Sequence, residues 1–172
     1  MALTYDLGGN DLIVNTITTG ATTTGNVANT AASIAGGSAL TLTAALHAGR
    51  QINLDTAAGT TITLPAATGT GNKYRFVVTV LATSNSHIVK VANSTDAMQG
   101  MIISTLSGTP TTNNTWPAVA GTSDTVTLNR TTTGSVTLGE WFEIQDIASG
   151  KFQIFGVTTQ SGTAATPFSA TV

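Results

Sequence analysis

Few groups in this chain can do chemistry, and they stand far apart. Glu140, Glu143 and Asp146 form the densest acidic set, within the run EWFEIQDI at 140–147. A pair of carboxylates flanking one bond is what glycoside hydrolysis requires. The run alternates as a strand would, and strand positions three apart point to opposite faces, so Glu140 and Glu143 cannot address one bond together. Surface solubility is the expected role. His47 and His87 each lack a second His, Cys or carboxylate at ligand spacing. Metal sites need such neighbours, and His87, beside Ile88, is expected on a strand facing solvent or a carbonyl. Gly69-Thr70-Gly71-Asn72-Lys73 superficially suggests a phosphate loop. A true one closes with Lys-Ser/Thr and opens a helix whose N–H groups hold the phosphate. Here Tyr74-Arg75-Phe76-Val77-Val78 follows, which is strand-like, so a flexible turn is expected.

The acidic loop DLGGND at 6–11, and Asp96, lack the dense Asp/Asn alternation of a calcium loop. No Gly-x-Ser-x-Gly motif supports a nucleophile elbow. Asn-x-Thr occurs at Asn93, Asn113 and Asn129; with no secretory signal these are chance matches. Trp141, in a core-like run, is expected inside. Trp116, between Thr115 and Pro117 in a turn-rich stretch, is expected to be a contact residue, since interfaces favour Trp. No catalytic residue, metal ligand or cofactor is assigned, and the chain is read as not an enzyme.

The elements that would position these residues are short strands. Residues 47–92 hold four apolar-rich runs closed by turn residues. Ile52 and Leu54 share one face, Ile62 and Leu64 another, and Tyr74, Phe76, Val78 and Val80 a third. Further runs occur at 98–106, 125–129, 135–138, 140–147 and 151–157, the last two as a hairpin bringing Phe142, Ile144, Phe152 and Ile154 to the core. Eight to ten strand candidates without a convincing amphipathic helix predict an all-β fold, an antiparallel β-sandwich or jelly-roll-like body. No fixed period predicts a solenoid.

Leu, Ile, Val and Phe make up about 23% of the 172 residues, above the roughly 20% below which disorder is the default. A lean core is therefore possible. Charged residues are only 8%, against roughly 25% in typical domains, and Thr fills the gap at about a fifth of the chain. Its stiff, β-branched side chain suits a pleated surface. From Leu12 to Gly49 there is no charged residue, and large aliphatics are sparse. Burial there offsets little of the ordering entropy, roughly 1–2 kcal/mol per residue. Residues 1–39 are therefore expected either as an extended arm ordered on a partner or as loosely packed edge strands. The arm is the assignment carried forward, followed by a body at 40–160 and an uncharged C-terminal tail at 161–172. Tyr5, Leu7, Leu12, Ile13, Val14, Trp116 and Phe168 are the expected interface residues.

Net charge is −2 and the six basic residues are scattered along the sequence, so no phosphate-neutralising stripe points to nucleic acid. The start MALTYDLGGND has neither a basic nor an apolar signal region, and no run reaches the roughly 18 apolar residues of a membrane span. Synthesis in a cytoplasm without export, and no membrane partner, are expected. With no cysteine there is no disulfide framework.

The runs Gly49-Arg50-Gln51-Ile52-Asn53-Leu54-Asp55-Thr56-Ala57-Ala58-Gly59, Thr61-Ile62-Thr63-Leu64-Pro65-Ala66-Ala67-Thr68-Gly69 and Tyr74-Arg75-Phe76-Val77-Val78, with the closing Ala165-Thr166-Pro167-Phe168-Ser169-Ala170-Thr171-Val172, resemble small structural proteins of tailed bacteriophages. The resemblance covers roughly residues 48–172. It implies a β-rich decoration or cement protein on the outer surface of the virion head, made in the host cytoplasm. Such a protein forms a homotrimer and bridges neighbouring major capsid proteins. Similar patterns occur in tail fibres, which leaves a tail-fibre or receptor-binding module with a glycan-binding surface as the alternative.

Overall fold

Two-residue alternation recurs along the chain, and in the computed structural model, which describes residues 32–172, the regular structure is strand apart from one helical turn. The elements are β1 (Ile34–Ala35), β2 (Ala39–Thr41), a single helical turn α1 (Ala44–His47), β3 (Gln51–Leu54), β4 (Thr61–Thr63), β5 (Lys73–Val78) and β6 (His87–Lys90). They continue with β7 (Ala97–Leu106), β8 (Thr109–Pro117), β9 (Thr125–Leu128), β10 (Trp141–Ala148), β11 (Lys151–Gln160) and β12 (Phe168–Ser169). Tyr5, Leu7, Leu12, Ile13 and Val14 lie outside the described residues.

The strands form two sheets, β1-β3-β5-β10-β11-β7-β8 and β12-β9-β6-β4-β2. The all-β sandwich reading holds, but the pairing is mixed. Up to β6 the chain crosses from one sheet to the other with each strand, so β1, β3 and β5 are parallel neighbours in one sheet and β2, β4 and β6 in the other. A strand that returns to its sheet by way of the opposite one comes back in the same direction. The successive coils differ in length, so no fixed repeat announces them. The second half supplies antiparallel partners, including the hairpin β10–β11. Its Ala148-Ser149-Gly150 turn needs the left-handed backbone of Gly150 (φ 72°).

The core lies between the sheets. Ile52, Leu54, Tyr74, Phe76, Phe142, Ile144, Phe152 and Ile154 meet Leu42, Ile62, Leu64, Val89, Val126 and Leu128. Phe76 and Phe142 sit opposite each other in register, with ring centroids 5.1 Å apart. Burying such a side chain stabilises by about 1.5–3 kcal/mol.

Several expectations change. Residues 32–39 were assigned to the arm, but β1 is hydrogen-bonded to β3 and β2 begins at Ala39, so the body starts before residue 40. The segment at 161–172 is no free tail. Phe168 pairs with Val126, is only 8% exposed and belongs to the core. Trp116 lies on β8 opposite Ile102 and packs against the core; its indole N–H donates to Gln160 Oε1 at 3.1 Å. It sits in a strand because turn residues around it, including two prolines, are tolerated at a sheet edge. Val80 falls beyond the end of β5 and is exposed. Residues 135–138 form a loop around Glu140, not a strand.

Candidate binding face

Among the described residues four acidic side chains are buried, and each is held by groups of the chain itself. Asp146 is 3% exposed. Its carboxylate accepts the backbone N–H groups of Thr68 (3.1 Å), Gly69 (2.6 Å) and Thr70 (3.1 Å), and the Thr70 hydroxyl at 2.7 Å. The glycine-rich turn is therefore a nest for an anion, and the anion is the protein's own side chain. Burial raises the Asp146 pKa, but the donors from Thr70, Gly69 and Thr68 outweigh it and hold it at about 2.

Glu140 lies just before β10 and is 5% exposed, contrary to its expected surface role. It accepts N–H groups from Ser135 (2.7 Å), Val136 (2.6 Å) and Thr137 (2.7 Å). Burial pushes its pKa above the ordinary value, and these bonds offset that only in part. Glu140→Ala orphans three N–H groups and is expected to destabilise by about 2–4 kcal/mol in urea denaturation. A loss under about 0.5 kcal/mol, the range of ordinary surface substitutions, would show that the loop does not depend on it.

Asp124 accepts Thr171 and Val172 N–H groups at 2.8 and 3.1 Å, closing the C-terminus onto the body. Burial works against it, but these bonds and the Thr125 hydroxyl leave its pKa below normal. Asp96 accepts from Ala67 N–H and the Asn93 side chain, both at 2.9 Å. His87 is buried with Nε2 2.9 Å from the Val80 carbonyl, the carbonyl-facing role expected of it. No group of three or more His, Cys, Asp or Glu suited to a metal occurs among the described residues.

A set of outward-facing groups gathers on the solvent side of the seven-stranded sheet. Strand register arranges them in cross-strand rows. One row runs Gln51, Arg75, Glu143, Phe155, Met101; the next runs Asn53, Val77, Trp141, Val157, Ile103. A third holds Lys73, Gln145, Gln153 and Gln99. Phe155 is 46% and Met101 41% exposed. Trp141 is on this face and not in the core: of the adjacent Trp141-Phe142 pair only one can point inward, and Phe142 does. The Arg75 guanidinium stacks over the Trp141 ring at 4.1 Å, and Trp141 meets Phe155 edge-on at 6.4 Å. Lys73 pairs with Glu143 at 3.2 Å, an exposed bridge of at most about 1 kcal/mol.

These side chains line a shallow groove of about 300 Å³ between Lys73 and Phe155. A second recess of about 310 Å³ adjoins it, bounded by Gly49, Arg50 and Gln51 and sharing Lys73, Arg75 and Glu143. Three of the chain's six basic residues thus meet at one corner with Glu143 as the acid among them. Sequence order hides this, because the Gln51–Arg75 pairing joins positions far apart in the chain. Of the expected interface residues within the described range, Trp116 and Phe168, neither belongs to this face. No protein-family model matches the chain, and no curated protein or solved structure matches it.

Proposed function

We propose that the protein is a non-catalytic structural component of a tailed-bacteriophage virion. It is a decoration or cement protein that sits on the outer surface of the head and bridges neighbouring major capsid proteins as a homotrimer. The observation that carries the non-catalytic part is the state of the buried carboxylates. Asp96, Asp124, Glu140 and Asp146 are engaged by the chain's own donors, so their role is to pin loops. Support for the virion part is the resemblance of residues 49–59, 61–69 and 74–78, which form the coils around β3, β4 and β5. The neutral, threonine-rich exterior suits a subunit covered by neighbours.

The test is mass photometry of the full chain followed by co-sedimentation with empty, expanded tailed-phage heads. A trimer that pellets with heads and withstands washing is expected. A monomer that stays in the supernatant with every head offered would refute the reading. The outward groove favours a second reading, a receptor-binding module. Its glycan would lie on Trp141 and Phe155 and not on Trp116, which packs against the core.

A further inference from the structure

The outward groove combines three kinds of group, and of these the Gln145 amide also donates to the Gly71 carbonyl at 3.3 Å. The first is Arg75. Its guanidinium carbon lies over the Trp141 ring, 4.1 Å from the centroid, and among the described residues it has no carboxylate partner, the Glu143 carboxylate being bridged to Lys73. The ring holds the exposed guanidinium at the groove, and a guanidinium is the group that can receive a carboxylate through two parallel bonds. The second kind is a set of planar polar side chains beside it. Gln145 and Gln153 face each other across β10 and β11, offering donors and acceptors together. The third is Phe155, directly across from Glu143 and nearly half exposed, an apolar ring at the groove's other wall.

We propose that this groove binds a carboxylate-bearing sugar. Its carboxylate lies on Arg75, its hydroxyls on Gln145, Gln153 and Glu143, and the apolar face of its ring against Phe155. Charge favours an acid, since Arg75 and Lys73 outnumber Glu143 in the groove and Arg50 adds to them in the adjoining recess. The amides, which donate and accept, together with the exposed Phe155 ring suit a polyhydroxylated ligand with one apolar face, and polyglutamate tests the acidic-peptide alternative. The shallow, open shape suits one or two sugar rings and not a deeply enclosed ligand. This assignment rests on the receptor-binding reading of the face and is independent of head binding: a protein that decorates heads without binding sugar, or the reverse, separates the two.

The experiment titrates the full chain with 3′-sialyllactose and a galacturonate trimer, using lactose and a galactose trimer as neutral counterparts and polyglutamate as a sugar-free polyanion. Saturation-transfer NMR and calorimetry are the readouts. At least one acidic sugar is expected to bind at least tenfold more tightly than its neutral counterpart and than polyglutamate. Arg75→Gln should weaken that binding at least tenfold and Phe155→Ala severalfold. Arg75→Lys, which keeps charge but loses the fork, should recover only part of it, and Lys90→Gln on the other sheet should change nothing. All three substituted positions are exposed or partly exposed, and circular dichroism checks that each variant folds. Equal binding of neutral sugars, tighter binding of polyglutamate, no binding by either acidic sugar, or indifference to Arg75→Gln would each overturn the assignment.

Discussion

Asp146→Ala is expected to cost about 3–5 kcal/mol, a large fraction of the roughly 5–15 kcal/mol that a domain of this size has. The substitution leaves the N–H groups of Thr68, Gly69 and Thr70 facing a hole, each worth about 1–3 kcal/mol when orphaned. Gly69, at φ 79°, has its missing Cβ position 3.2 Å from the Ala148 backbone, so the turn has little room to move and find new acceptors. Asp146→Asn keeps the shape and loses the charge, and about 2 kcal/mol is expected, matching a shift from 3.8 to about 2. The sign with pH follows from that depression. The stabilisation is present above the unfolded pKa of roughly 4 and fades as pH falls through about 2. Asp124 acts in the same direction, and so does His87, whose pKa burial lowers. Glu140 acts oppositely, since its raised folded pKa makes its contribution fade as pH rises. Urea denaturation from pH 7 to pH 2 checks this. Wild type should lose about 2 kcal/mol more than Asp146→Asn across the acid limb, and parallel curves would refute the mechanism.

Gly156→Val is expected to prevent folding or to cost about 4 kcal/mol or more. Gly156 lies opposite Phe142 in the centre of the larger sheet. A Cβ there would collide with the Phe142 Cβ and sit 2.5 Å from the Trp141 carbonyl oxygen. Nothing in that contact is the loose end of a side chain. β10 and β11 would have to separate at the point where Phe142 packs on Phe76, and overpacking of this kind costs about 1–3 kcal/mol even when some relaxation is possible. Thermal unfolding and the soluble fraction on expression are the measurements. A melting temperature within about 4 °C of wild type, equivalent to roughly 1–2 kcal/mol in a domain of this size, would show that the sheet yields there.

The sequence determines the alternation, and with it the strand class and most of the core. Ile52, Leu54, Phe76, Phe142, Ile144, Phe152 and Ile154 are all inward as their spacing requires. Period two fixes which side chains share a face of one strand, and a buried row must be apolar. It says nothing about which strands become neighbours. The crossing of the chain between sheets, and hence the parallel pairs, depends on where each coil lands after a turn of variable length. The face of Trp141 depends on which of two adjacent aromatics the core takes.

The same limit applies to the electrostatics. Glu140 and Asp146 share the parity of Phe142 and Ile144 and so fall on the core-facing side of their run, but period two does not show the N–H groups of residues 135–137 and 68–70 that make burial of a carboxylate there tolerable. Lys73 and Arg75 share a face of β5 by alternation alone, but Arg50 joins them, and Glu143 faces them, because register, a property of the folded sheet, places β3 beside β5 and β5 beside β10. Composition therefore settles that this is a lean, weakly charged β protein. Only the tertiary arrangement decides which of its few charges hold the fold and which are left to meet something else.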